Sequence, residues 1–286
     1  MGSVEALRNV KAVIESQTDR VIVVVSAMSG VTNTLVDIAE RACHKESEGI
    51  DCALQSVFDR HADIARQMLP PGAVEPYIDS VRYLFLENIP TAVGWLTHSP
   101  DATDVMRQRV TNHIVSAGEM ASSGLTRLMV ADSAILFAPE FIKTHRTADG
   151  DVLDRELTDR LIVETVDECK ADIIVTQGFI ASDRTTGDET TLGRGGSDYT
   201  AALIAAAMKA DSLEIWTDVD GVMTADPKKD PTATVIPELT YSEAQAIADA
   251  GAKVIYPPTI APVAEGGIPL YIRNTFNPLC PGTLIR

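Results

Sequence analysis

Thr191-Leu192-Gly193-Arg194-Gly195-Gly196-Ser197-Asp198-Tyr199-Thr200 runs without interruption into Ala201-Ala202-Leu203-Ile204-Ala205-Ala206-Ala207. Glycines free the backbone to present N–H groups to a ligand, and the alanine-rich run is a strong helix former. Ser197 or Asp198 can cap that helix, whose N-terminal dipole favours negative charge. Arg194 adds a planar fork of donors matched to a carboxylate or phosphate. The stretch therefore reads as an anion trap at the start of a helix. Its spelling excludes two familiar phosphate loops. A Walker A loop needs Lys and Ser or Thr after its last glycine, where Asp198 and Tyr199 stand, and a dinucleotide fingerprint needs glycine at 198.

Around this loop, short β-branched runs alternate with helical patterns, which predicts an α/β fold with a mainly parallel sheet. Val21–Val25 and 172–176 read as buried strands, with Leu213–Thr217 and 269–272 as further candidates. Residues 33–90 are mostly helical in pattern, broken at Pro70-Pro71-Gly72, and 101–115 continues the helical region. A helical insertion at about 33–115 is expected beside the sheet, with a nucleotide-binding part at about 172–286. The polar 182–191 segment suits an exposed hairpin or lid ahead of the glycine loop. Residues 226–231 form another turn-rich loop, and Ser242 is the expected N-cap of a helix ending at Gly251.

The chain has 286 residues and is 45% hydrophobic, enough for one sizeable core or two lobes, and we read one domain over 1–286. Its 41 acidic against 24 basic residues give a net charge of −17, which disfavours nucleic-acid and anionic-membrane partners. An anionic substrate must enter against that field, so a few local cations and helix termini must attract it. Cys43, Cys52, Cys169 and Cys280 are scattered without the close pairing of a zinc site. No apolar run approaches the length of a membrane span, and the N-terminus lacks signal-peptide features; a cytoplasmic location is expected.

Leu213-Glu214-Ile215-Trp216-Thr217-Asp218-Val219-Asp220-Gly221-Val222-Met223-Thr224-Ala225-Asp226-Pro227, taken with the glycine loop, resembles the aspartate kinase family. So do Val23-Val24-Val25-Ser26-Ala27-Met28-Ser29-Gly30-Val31-Thr32-Asn33, Ser116-Ala117-Gly118-Glu119, Gly251-Ala252-Lys253-Val254-Ile255-Tyr256-Pro257 and Arg273-Asn274-Thr275-Phe276. The match is ordered and nearly end to end. It implies the amino acid kinase fold, ATP with Mg2+, phosphorylation of the L-aspartate side chain toward lysine, threonine and methionine, and a homo-oligomer.

By that resemblance Thr32, Glu119, Arg194, Gly195, Gly196 and Ser197 form the aspartate site. Ser26, Thr217, Asp218, Met223, Lys228, Lys253 and Val254 fall to ATP. Some relatives have Tyr at Met223, whose thioether can still cover a purine. Chemistry agrees with part of this: Arg194 suits a carboxylate and Glu119 an ammonium group. Read alone, Glu119 is a helix-start acid. Asp198 is suited to capping the helix, orienting cations around the phosphates, or both, and is assigned an organising role. Asp218-Val219-Asp220-Gly221 places its glycine too early for a calcium loop, so magnesium is expected to arrive with ATP.

A free aspartate side chain, with a pKa of about 3.9, is already ionised at neutral pH, so no general base is needed. The five histidines, all outside the motifs, read as surface or core residues. Positioning and charge stabilisation carry such a reaction. Glutamate or acetylglutamate kinases and a noncatalytic ligand-binding subunit are the alternatives; carbamate lacks the ammonium group that Glu119 suits.

The family's first strand carries Lys-Phe-Gly-Gly-Thr-Ser just before the region matching Gly2-Ser3-Val4-Glu5-Ala6-Leu7, and its kinase domain is usually followed by regulatory ACT domains. Neither is present in the 286 residues. The expectation is a shortened chain or a misplaced start codon, with impaired turnover and unpaired strand edges.

Overall fold

The structure is a computed structural model describing residues 2–148, 150–225, 230, 232–251 and 254–286. Helix α1 (Val4–Glu15), capped by Ser3 Oγ accepting the Ala6 amide at 3.2 Å, leads into strand β1 (Val21–Val25). A helical block follows: α2 (Val31–Cys43), α3 (Ile50–Met68), α4 (Pro71–Tyr83), α5 (Ile89–His98) and α6 (Asp104–Met129). Pro71 stands at the first turn of α4, where its missing N–H is tolerated, so the expected break at Pro70-Pro71 is a helix boundary. A π-helical turn, Leu84–Asn88, joins α4 to α5.

Strand β2 (Ser133–Leu136), the short α7 (Ala138–Phe141), β3 (Lys143–Thr147), β4 (Gly150–Leu153) and α8 (Arg155–Glu168) come next. They precede β5 (Ile173–Gln177), β6 (Ile180–Asp183), β7 (Glu189–Thr191) and α9 (Gly196–Met208). The last portion holds β8 (Leu213–Thr217), β9 (Glu238–Leu239), α10 (Tyr241–Asp249), α11 (Ile260–Gly266), β10 (Leu270–Asn274) and β11 (Thr283–Ile285).

Two local expectations are corrected. The helical run does not stop at 115 but continues through α6, so Glu119 lies mid-helix rather than at a helix start. Thr240, not Ser242, caps α10: its hydroxyl accepts the Glu243 amide while the Glu243 carboxylate accepts the Thr240 amide. That reciprocal pair is the Thr-x-x-Glu capping box, a signal present in the sequence.

The mixed α/β architecture is as expected, but its described strands form three sheets, ordered β1-β5-β2, β8-β10-β11-β9 and β4-β3-β6-β7. The first is wholly parallel, and β8 and β10 are parallel in the second. Among the described residues β1 pairs only with β5 and β8 only with β10, so each leaves one edge unpaired. Register puts Val25 beside Gln177 and Thr217 beside Asn274, so each parallel pair ends at a common rim. Helix α9 packs against both β1 and β8 and ties the two sheets together.

Burial follows the pattern of apolar residues. Leu7, Leu35, Ile38, Phe85, Ile89 and Leu125 belong to a core among the N-terminal helices. Leu213, Ile215, Leu270 and Ile272 point to the opposite core, under α10 and α11. The alternate residues line the other face of β8 and β10. There Trp216 Nε1 donates to Glu214 at 2.9 Å, and the Arg273 guanidinium lies 5.7 Å from the Trp216 ring and 5.0 Å from Tyr271. No described helix is long and apolar enough to cross a membrane.

Helix α6 approaches the β1–α2 loop so closely that a Cβ on Gly118 would lie 2.8 Å from Ala27 Cβ and 3.2 Å from a Val31 methyl. Gly94 in α5 faces open space. Alanine gains up to about 1 kcal/mol over glycine in a helix interior, whereas overpacking costs about 1–3 kcal/mol. Gly94→Ala should therefore raise urea-unfolding stability and Gly118→Ala lower it. The same sign for both would show that the contact at Gly118 is not tight.

Candidate functional site

The functional loops leave the two strand rims. After β1, Gly30 adopts a left-handed conformation (φ 84°) that turns the chain into α2 and places Thr32 in its first turn. Glu119 reaches this loop from α6. Its Oε1 accepts the Ala27 amide at 3.2 Å and the Thr32 hydroxyl at 3.3 Å, joining residues 87 positions apart in sequence. Ser122, one turn further along α6, donates to the Ser26 carbonyl at 2.8 Å.

Glu119 is only 2% exposed, and its second oxygen, Oε2, has no partner among the described residues. Burial raises its pKa to about 7, with the two hydrogen bonds acting in the opposite sense. A cationic group at Oε2 would restore the charged form.

The glycine loop enters the same region from the side of β5. Gly193 and Gly195 both take positive φ, at 74° and 71°. Gly195 occupies the N-cap position of α9 and Gly196 starts the helix, with no side-chain cap; the expected capping by Ser197 or Asp198 does not occur. Left-handed glycine replaces the side-chain cap because the loop has no room for one. A Cβ on Gly195 would lie 2.3 Å from the Tyr256 ring. A Cβ on Gly178 would lie 2.5 Å from that of Ser197, and Gly196 packs on Phe179. Ser197 is thus seated where Gly178 N donates to Val25 O at 2.9 Å, at the joint rim of β1 and β5.

Phe179 holds that seat in a strained conformation, with φ 67° and an Ile180 N–H to Gly178 carbonyl bond of 2.7 Å across a three-residue turn. Its amide donates to Thr200 Oγ1 at 3.2 Å and its carbonyl accepts from Leu192 N at 2.8 Å. Phe179 and Tyr256, the latter only as part of a matching stretch, are given no role by the sequence because neither is chemically suggestive in isolation.

Arg194 is exposed and makes no side-chain hydrogen bond or ion pair with a described residue. Asp198, in the first turn of α9, likewise has no hydrogen-bond partner among them, and burial pushes its carboxyl up to about 6. A nearby cation would return it to the ionised form. No group of three or more metal-ligating side chains occurs among the described residues.

At the second rim, Thr217 ends β8 and its hydroxyl donates to Asp218 at 3.3 Å. The Thr275 amide donates to the Thr217 carbonyl at 2.8 Å. Met223 is half-buried and its backbone bridges to Val235, while Val254 packs on the core beneath β8 and β10. Lys228 and Lys253, with most of the 226–231 turn, lie outside the described residues.

The 182–191 segment forms the expected hairpin, from β6 and β7, but its end is clamped to α6. Arg109 pairs with Asp188 at 2.9 Å, Asn112 Nδ2 donates to the Glu189 carbonyl at 3.0 Å, and His113 Nδ1 lies 3.0 Å from Glu189 Oε2. The other His113 nitrogen is 2.7 Å from Asn88 Oδ1, and the bond to Glu189 raises the imidazole pKa. His61 is a core residue as expected, held neutral by burial with its pKa lowered to about 4; His113 is neither core nor idle surface. A cleft of about 490 Å³ lined by Trp95, Arg109, His113, Asp188 and Glu189 opens beside the clamp, and none of the expected ligand residues lines it.

Comparison with known proteins gives one family: the amino acid kinase family model matches residues 3–274. The bifunctional aspartokinase/homoserine dehydrogenase 1, chloroplastic, of Zea mays is 32% identical over 294 residues, covering all of this chain and 31% of the relative. The lysine-sensitive aspartokinase 3 of Escherichia coli K12 is 31% identical over 290 residues, covering 98% of this chain and 61% of the relative. The chain thus spans about a third of the bifunctional relatives and under two thirds of the E. coli protein. E. coli aspartokinase III, solved in complex with aspartate and ADP, aligns at a TM-score of 0.83 and 28% identity over 99% of this chain and 62% of that one. Clostridium acetobutylicum aspartate kinase aligns at 0.77 and 25% identity, over 98% of this chain and 59% of that one.

The state of Glu119 is open to test without any ligand. From pH 4.5 to about 7 the folded chain keeps a proton that the unfolded chain releases, so stability falls as pH rises through that window. Glu119→Gln removes this titration. Its urea-unfolding free energy should fall less than that of the wild type across the window, by a difference on the order of 3 kcal/mol at most. Parallel pH profiles would show that Glu119 is not held neutral by burial.

Proposed function

Because the chain belongs to the amino acid kinase family, we propose that it transfers the γ-phosphoryl group of ATP to the side-chain carboxylate of L-aspartate. The products are 4-phospho-L-aspartate and ADP, and the reaction is the first step toward lysine, threonine and methionine. The observation that carries this reading is the buried Oε2 of Glu119, unpartnered among the described residues, a socket for an ammonium group at the rim where Ser197 is seated. An amino acid offers that ammonium group together with a carboxylate for Arg194. The resemblance to an aspartokinase solved with aspartate and ADP supports aspartate in particular.

In this reading the ammonium group of aspartate binds Glu119 and returns it to the ionised state, and Arg194 grips the backbone carboxylate in a bidentate pair. Ser197 and the first amides of α9 orient the side-chain carboxylate. One of its oxygens attacks the γ-phosphorus, the bond from that phosphorus to the β-phosphate bridging oxygen breaks, and ADP leaves with the electron pair. No proton is abstracted, because the attacking carboxylate is already ionised. Thr217, Asp218, Met223, Lys228, Lys253 and Val254 hold ATP, with Ser26 at the β1 rim. Mg2+ arriving with ATP would neutralise phosphate charge, and Asp198, half-buried and without a hydrogen-bond partner among the described residues, would help to hold it.

The reading is tested by ADP release with L-aspartate, L-glutamate or N-acetyl-L-glutamate, trapping the acyl phosphate with hydroxylamine, alongside calorimetry of each acceptor. Aspartate should bind and turn over best, and a preference for either glutamate acceptor would sink the assignment. Arg194→Lys keeps the charge but loses the fork, and should weaken aspartate binding about 10-fold or more while changing ATP binding about 2-fold at most. Equal losses for both ligands would remove Arg194 from the aspartate site.

A further inference from the structure

The Arg273-Asn274-Thr275-Phe276 motif has no part in the reading above, yet it meets the loop that follows β8. Strands β8 and β10 run parallel and end on the same rung, Thr217 beside Asn274. Beyond that rung the β8 chain enters Asp218-Val219-Asp220-Gly221, where two carboxylates lie within three residues.

The two carboxylates have different surroundings. Asp218 is exposed and, among the described residues, receives only the weak 3.3 Å bond from Thr217. Asp220 is half-buried, and its Oδ1 accepts from Asn274 Nδ2 at 2.8 Å and from Asn277 Nδ2 at 3.2 Å. At its other end the Asn274 amide oxygen accepts the Phe276 N–H at 2.8 Å. A backbone N–H can only donate, so the oxygen of Asn274 must face Phe276 and its NH2 group must face Asp220. The side chain therefore links the turn after β10 to the loop after β8 in one orientation.

Around this link the loop has little freedom. Val222 N donates to Thr283 Oγ1 at 2.8 Å, and a Cβ on Gly221 would lie 2.6 Å from the same oxygen. Asn274 braces the part of the loop that those contacts leave open, between Thr217 and Gly221.

We propose that Asn274 is a positioning residue for nucleotide binding: by holding Asp220 it fixes the loop that presents Thr217 and Asp218 to ATP. The proposal rests on the reading that this loop binds ATP. Asp220 is then a brace whose carboxylate is already occupied, and Asp218 is the carboxylate left open to the ligand.

The test compares wild type, Asn274→Ala, Asn274→Asp and the exchanged pair Asn274→Asp with Asp220→Asn, using Mg-ATP titrated by calorimetry and steady-state KM for ATP and for aspartate. Asn274→Ala removes a hydrogen bond to a charged group and should weaken ATP binding about 10-fold, leaving the aspartate KM within about 2-fold. Asn274→Asp sets two carboxylates against each other and should weaken ATP binding further. The exchanged pair restores the bond with donor and acceptor reversed, keeps an acceptor for the Phe276 amide, and should return ATP affinity to within about 3-fold of wild type.

Unchanged ATP affinity in Asn274→Ala overturns the proposal, as does an exchanged pair no better than Asn274→Asp. Equal rises in both KM values with a matching loss of melting temperature would mean a structural role only, and also overturn it. A wild type that binds ATP but does not phosphorylate aspartate would defeat the proposed function while the affinities still decide the role of Asn274. A wild type that binds no Mg-ATP overturns both.

Discussion

A carboxylate removed almost completely from water, with one oxygen left without a donor among the described residues, is the constraint around which the first rim is arranged. Glu119 is held by two hydrogen bonds of 3.2 and 3.3 Å, both to the same oxygen. Those do not offset the loss of hydration, so the group holds its proton up to about pH 7, and a bound cation would favour the charged form. To bring Glu119 to that position, α6 must nearly touch the loop after β1, which leaves residue 118 no side chain. A single helix of 26 residues then carries both this contact and, about two to three turns earlier, the Arg109, Asn112 and His113 clamp on the hairpin that leads to the glycine loop.

The glycine loop has a more specific use for its glycines than backbone freedom alone. Gly195 needs both a left-handed φ and the absence of a Cβ that would enter the Tyr256 ring, and Gly178 needs space for Ser197. The loop is clasped between the Phe179 turn on one side and Tyr256 on the other. Its exposed cation, Arg194, therefore projects from a rigid base, and rigidity lowers the ordering entropy of gripping a carboxylate. Tyr256 follows the segment assigned to ATP, so the clasp also connects the two rims, as α9 does by packing on β1 and β8.

Much of this architecture is legible in local sequence. The β-branched runs at Val21–Val25 and Leu213–Thr217 are strands as read, the Pro70-Pro71 pair separates two helices, and the turn-rich 182–191 segment is a hairpin. Local propensity fails where the deciding contact is distant. Glu119 looks like a helix-start acid until α6 is seen to run through it; family resemblance alone puts Thr32 in the same site, and nothing in the sequence points to the Ala27 amide as its other partner. His113 gave no local signal, since Glu189 lies 76 residues away. Ser197 and Asp198 have the right chemistry for a cap, but packing against Gly178 and Tyr256 fixes the helix start at a glycine instead. Thr240 is different: the Thr-x-x-Glu spacing of its capping box with Glu243 is legible locally, and Ser242 two residues on only looks like the cap.

The chain contains two tryptophans, and they stand at different working parts of the molecule. Trp95 lines the cleft beside the His113 and Glu189 clamp, whereas Trp216 immediately precedes Thr217 and shares its indole N–H with Glu214 under the Arg273 guanidinium. Indole emission depends on local polarity and on neighbouring charged or titrating groups, and these two indoles have unlike neighbours. Each part of the protein thus carries its own built-in chromophore, and replacing either tryptophan by phenylalanine leaves a single-colour reporter of the hairpin or of the loop after β8 without any added label.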